Sequence, residues 1–207
     1  LAEAAWPLTI DPPIGSTLVF PAFGSPVESP NVAYDDNSGK YWYVFEIDVS
    51  SANTDLFCVA VRPDGSDAVG VTIDSSAAKY SQPSIAMVPN LGRGLVACRA
   101  IIFGSNLDSV SIGINTTTET RDASAELLTT TASYRYSEPK VGGSWDSFVG
   151  AAGHFEFFVV WKAEISPGNT FIDGVFTGAF PGAASAPVTV CAIGVGVSPA
   201  VPKGRGR

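Results

Sequence analysis

One histidine, three cysteines and a few spaced carboxylates are the groups of this 207-residue sequence that could do chemistry. His154 stands in "GAAGHFEFF", at the edge of a predicted strand. Pairing with Cys58, Cys98 or a serine would make a nucleophile and its base, but no Gly-x-Ser-x-Gly presents a serine at an elbow. No second imidazole exists to share a metal with His154. Cys58, Cys98 and Cys191 lie far apart and form no C-x-x-C, which removes the zinc-knuckle and thioredoxin-like readings. Burial as small hydrophobes on strands is the expectation for all three, and an odd count leaves at least one thiol free within the chain. Asp55, Asp108 and Asp173 fall near comparable strands, Asp173 about two positions out of register. A carboxylate pair could hydrolyse a glycoside, while shaping the turn into a strand is the simpler role. No Walker A and no dinucleotide fingerprint is present. The sequence therefore predicts a non-catalytic protein with no catalytic residues, no metal and no cofactor.

Binding chemistry has more material. The stretch "DDNSGKYWYVFE" makes Glu46 the twelfth residue counted with Asp35 as the first, the spacing of a calcium loop. Between them "KYWYVF" reads as strand and cannot wrap an ion, so "DDNSG" is expected to be a hairpin turn. Trp6 and Trp145 lie outside the regular strand pattern and are candidate platforms for a sugar ring or a partner chain. "PKGRGR" ends the sequence with Lys203, Arg205 and Arg207, a candidate nucleic-acid tail or the end of a hairpin. "NTT" makes Asn115 a candidate glycan acceptor in a loop.

These groups are strung along a chain of 45% hydrophobic and 15% charged residues, which can bury a core. A net charge of −8 repels phosphate and disfavours duplex binding. No run of 18 apolar residues exists to span a membrane as a helix. The opening "LAEAAWPL" has no Met and reads as a processed or excised start.

Four segments begin alike: "VESPNVAY", "YSQPSIAM", "YSEPKVGG" and "GVSPAVPK". Their prolines, Pro30, Pro83, Pro139 and Pro199, recur at intervals of 53 to 60 residues. Strand-like runs follow each of the first three: "YWYVFE", "GLVACR" and "FFVVWK", then "DLFCVAV", "DSVSIGI" and "FIDGVFTG", then "VGVTID", "AELLTT" and "APVTVCAIGV". Polar or Gly-rich turns separate them, "SWDSFVGAAGHFE" being the longest, and only "RDASAELL" has the look of a helical turn or two. Trp42 and Trp161 fall on equivalent strands and are expected to pack between units.

Four short strands per repeat of this length is the arithmetic of a propeller blade. The pattern Pro-x-Val-Ala-Tyr, turn, aromatic strand, Asp, strand, Pro-Asp-Gly resembles the β-propeller-type repeats of secreted and surface proteins, most closely over Pro30 to Gly65. The resemblance implies an all-β fold of repeated four-stranded antiparallel units, propeller-like blades, with a jelly roll or β-sandwich as the alternative. The expected layout is a single all-β domain over 1–207. An N-terminal arm with one strand covers 1–29. Repeat units follow at 30–82, 83–138 and 139–198, then a partial unit or basic tail at 199–207. Three blades leave two apolar faces open to water, which predicts a homo-oligomer or a missing partner chain. The expected role is a structural or binding module, extracellular or on the cell surface, with carbohydrate as one class of ligand. Its rivals are a viral coat protein, in a virion and touching nucleic acid, and a glycan-active enzyme domain.

Overall fold

Runs of Val, Ile and aromatic residues, separated by Asp, Asn, Ser and Gly, set the chain into strands. The structure is a computed structural model and describes residues 25–76, 78–88, 91–102, 106–122, 126–129, 134–150, 153–178, 188–194 and 198–200. Among these residues the protein is all-β, with antiparallel sheets and no helix, so none is long and apolar enough to cross a membrane.

Three antiparallel meanders follow one another. The first holds β1 (Val27–Asp35), β2 (Lys40–Ser50), β3 (Asn53–Val61) and β4 (Val69–Asp74), each paired with its sequence neighbour. The second holds β5 (Lys79–Val88), β6 (Arg93–Ile102) and β7 (Asn106–Asn115), and two short strands, β8 (Thr120–Arg121) and β9 (Glu126–Leu127), both pair with β7. The third holds β10 (Arg135–Gly150), β11 (Gly153–Ser166), β12 (Asn169–Thr177) and β13 (Val188–Gly194). The first two share one nine-stranded sheet only through a single parallel pair, Thr54 with Lys79.

Several expectations are corrected. Of "RDASAELL", Arg121 closes β8 and Glu126–Leu127 form β9, both paired with β7, while residues 123–125 lie outside the described residues. "SWDSFVGAAGHFE" is not a long turn: its two ends extend β10 and β11 into a taller hairpin, with a register shift between Gly143 and Phe148. β1, β5 and β10 begin three or four residues before Pro30, Pro83 and Pro139.

The prolines mark bulges. Ser29, Gln82 and Glu138, each preceding a proline, have φ of 50, 55 and 53°. The ladder slips at the same places, between Glu28 and Asn31, Ser81 and Ser84, and Ser137 and Lys140. Pro has no N–H for the ladder, and an extra residue there lets the strand bend without leaving a donor unmet.

The core lies between the meanders. Trp42, Val44, Leu56, Cys58 and Ala60 of the first pack on Ile85, Val96, Cys98, Val110 and Ile112 of the second. Ala86, Val88, Leu95 and Ala97, on the opposite face of the second, pack on Val141, Phe157, Val159, Trp161 and Val175 of the third. The middle meander is thus covered on both faces. Its strand "GLVACRA" is accordingly a near-continuous apolar run without alternation.

Candidate functional site: two outer sheet faces

The register tells which residues of the three meanders stand at corresponding places. Asn31 lies opposite Val44, Ser84 opposite Ala97, and Lys140 opposite Val160. Counting along β2, β6 and β11 from these pairs aligns Tyr43 with Val96 and Val159, and Phe45 with Cys98 and Trp161. Val96 and Cys98 face the first meander, while Val159 and Trp161 face the second. Each meander therefore turns these positions towards the one before it. In the first meander the same positions face away from the second, with Tyr43 half-buried and Phe45 buried.

That outward face is aromatic. Val32 and Tyr34 of β1 stand opposite Tyr43 and Tyr41 of β2, and Phe45 stands opposite Phe57 of β3. The Tyr34 and Tyr41 rings sit 5.0 Å apart between centroids, Tyr41 and Tyr43 6.3 Å, Phe45 and Phe57 5.8 Å. Val32 is 42% exposed, Tyr34 46% and Tyr41 38%. Beside them Asp55, opposite Ile47, has one carboxylate oxygen enclosed and without a hydrogen-bond partner. Such an atom is costly unless an oppositely charged or donor group reaches it.

The third meander has the converse face. Phe158 and Phe176 pair across β11 and β12 with centroids 4.5 Å apart, and Phe176 is 37% exposed. Gly174 lets the Phe158 ring lie flat: a Cβ there would come 2.7 Å from it. Lys140 and Lys162 share this face with Val160 and Phe158.

Polar groups at the joints between meanders are paired in a regular way. The Ile85 amide donates to the Asn31 side-chain oxygen at 3.1 Å, and the Val141 amide to the Ser84 hydroxyl at 3.2 Å. The Gln82 amide donates to Glu46 at 2.7 Å, and the Glu138 amide to the Gln82 side chain at 2.9 Å. A side chain of one meander thus accepts the backbone donors that the next meander's bulge leaves off the ladder. Lys40 adds an ionic joint. Its buried ammonium meets Asp67 at 2.7 Å and Glu119 of the second meander. Burial draws the Lys40 pKa down, but the two carboxylates outweigh it and hold it above its ordinary value. The same bond lowers Asp67. Both partners sit at positive φ, 54° and 55°.

The sequence candidates are dispersed. "DDNSG" is a turn: the Asp35 carboxylate accepts the Asn37 and Ser38 amides, and Gly39 takes φ 66°. Glu46 lies in β2, facing the second meander. Asn115 does for the next turn what Asp35 does here, its side-chain oxygen accepting the Thr117 and Thr118 amides at 3.0 Å each. Asp55 and Asp108 align in register, and Asp173 is two positions off. Thr129 donates to Asp108 and Thr189 to Asp173, and none of these bonds joins two of the three carboxylates. Desolvation raises Asp173 despite its bond from Thr189. Cys58 and Cys98 are free thiols in the core, and burial pushes both far above the ordinary thiol range. Among the described residues no three His, Cys, Asp or Glu side chains converge to hold a metal.

Trp145 lies within β10 rather than outside the strands, because the hairpin is taller than its sequence suggests; its backbone alone is described, as is that of His154 and Cys191. Trp6, Lys203, Arg205 and Arg207 lie outside the described residues. Trp42 and Trp161 are both buried on second strands, but their registers differ by three, so they point to opposite faces. The Asn31, Gln82 and Ser84 acceptors and the Lys40 joint escaped sequence reasoning. A polar residue on either side of each proline was the only local signal for them.

Comparison with protein-family models, with curated proteins and with solved structures finds no match to the chain.

Proposed function

We propose that this chain is a non-catalytic assembly module, made of propeller-like units, that packs against copies of itself or a partner through its two outer sheet faces. One observation carries the reading. The first meander leaves Val32 exposed and Tyr43 half-buried at the register positions where the second and third bury Ile85, Val96, Val141 and Val159, and it exposes Tyr34 and Tyr41 beside them, although Phe45, Val59 and Val61 of that face are buried. An aromatic surface in water is a cost that association removes, at about 25 cal/mol per Å2 of apolar area. Strands that pair mostly with sequence neighbours, β9 on β7 and the single Thr54–Lys79 pair apart, and that stack face to face between meanders, favour propeller-like units. The same pairing lends no support to a coat-protein jelly roll, whose strands cross between sheets.

The native mass of the purified chain tests the reading. The expected result is a multiple of the 21.5 kDa chain, or a stable complex with another protein. A chain that stays single at the highest attainable concentration, and whose solubility and hydrophobic-dye binding are unchanged by Tyr41→Lys with Tyr43→Lys, overturns it.

A further inference from the structure

We propose that Arg99 and Ser109, side by side at the joint between the second and third meanders, hold a small oxyanion of the phosphate or sulfate class. Arg99 of β6 stands directly opposite Ser109 of β7, and Ser81 of β5 stands opposite Arg99 on its other side. Opposite residues of an antiparallel pair project to one face, with Cβ atoms about 5 Å apart. The face is that of Leu95, Ala97 and Leu128, which pack on the third meander. A guanidinium flanked by two hydroxyls thus stands in one row across three strands.

The two central donors have no partner. Arg99 is half-buried, and its Nε is enclosed and makes no hydrogen bond. Ser109 is 1% exposed, and its hydroxyl is likewise enclosed and unbonded. Among the described residues no carboxylate pairs with Arg99. Glu138, the acid of the third meander's bulge, turns to Lys162 at 3.9 Å. Asp108 precedes Ser109, projects to the other side of β7 and accepts the Thr129 hydroxyl at 3.3 Å. A guanidinium cannot shed its charge, so burying it without a counter-charge weighs against folding.

The register shows that this position is exceptional. Counting on from Val44, Ala97 and Val160 aligns Arg99 with Glu46 and Lys162. At the first joint Glu46 accepts the Gln82 amide, a donor that the bulge leaves off the ladder. At the second joint the corresponding amide, that of Glu138, goes to the Gln82 side chain instead. The second joint is therefore made without Arg99. A cation kept where it neither joins the meanders nor meets a carboxylate is the arrangement of an anion site. The planar N–H fork and an adjoining hydroxyl match the several acceptor oxygens of one oxyanion. The net charge of −8 repels anions at long range, so recognition rests on these directed donors and not on the overall field.

Titration with phosphate and with sulfate, at constant ionic strength with chloride as the balancing ion, tests the inference. The wild-type chain is expected to show one saturable site by calorimetry and a Tm that rises as the site fills. Both ions also stabilise proteins without saturation, by exclusion from the surface, and Arg99→Met supplies that background. This variant is expected to lose the saturable phase. It is also expected to melt no lower than the wild type in chloride alone, because it removes an unpaired charge and keeps the apolar stem. Ser109→Ala is expected to weaken binding about ten- to a hundredfold, the range for one hydrogen bond to a charged group. A wild-type chain with no saturable phase for either ion overturns the inference, and so does a phase that Arg99→Met retains. An Arg99→Met chain that melts well below the wild type in chloride would show Arg99 already paired within the protein, and also overturns it.

Discussion

At Gly143 two meanders approach so closely that a Cβ has no room, and Gly143→Ala reports on that approach. Gly143 lies in β10 opposite Phe157. A Cβ built there would fall against the Met87 carbonyl oxygen, 3.0 Å from its carbon and 3.6 Å from the Val88 nitrogen. These are backbone atoms of β5, a strand buried between two neighbours and held by its own ladder to β6. No rotamer change relieves the clash, so β5 and β10 must separate. Forcing one extra methyl into such a site costs about 1–3 kcal/mol. In a chain of this size each kcal/mol lowers Tm by about 2–4 °C, so a fall of roughly 2–12 °C is expected in a calorimetric scan. Gly168 supplies the control. It turns between β11 and β12 at φ 81° with nothing near its missing Cβ, and Asn tolerates that conformation. Gly168→Asn carries only the cost of a left-handed backbone, without a clash, and is expected to lose less than Gly143→Ala, about 1–2 °C. A Gly143→Ala protein that melts with its control would refute the close seam and the stacking built on it.

The polar joints give two further predictions. Ser84→Ala removes the acceptor of the Val141 amide at a buried site, and a loss of about 1–3 kcal/mol is expected from urea unfolding; an unchanged midpoint would show that the bond is not made. The Lys40 joint sets a pH window. Lys40 is raised above 10.5, so its contribution is present below that value and is lost as pH rises through the folded pKa. Asp67 is lowered below 3.8, so its contribution is present above that value and is lost as pH falls through the folded pKa. The difference in Tm between the wild type and Lys40→Met should therefore be flat between these limits and shrink beyond both. A difference that grows in acid would contradict the assignment.

Much of the local structure was legible beforehand. Asp35, Asp64 and Asn115 bond their own backbone two or three residues on, and that habit of Asx side chains belongs to the sequence. Alternation in "KYWYVF" announces a strand with Trp42 and Val44 on one side and tyrosines on the other. The tall β10–β11 hairpin was not legible, because Gly and Ser in "SWDSFVGAAGHFE" signal turns and only cross-strand pairing overrides them. The opposed tryptophans were hidden for a similar reason: bulges shift register by single residues, and each shift turns a side chain to the other face.

The sequence by itself determined that the chain is all-β, where most strands run and where most turns fall, since those choices rest on interactions reaching two to four residues. Which faces are covered was decided by the tertiary structure alone. Leu95 and Val96 are neighbours of one strand with nearly the same character, yet one packs on the third meander and the other on the first. Tyr43 corresponds to Val96 yet faces away from the other meanders, because burial depends on what stacks against a face, and for Val96 that partner lies some fifty residues away in the chain.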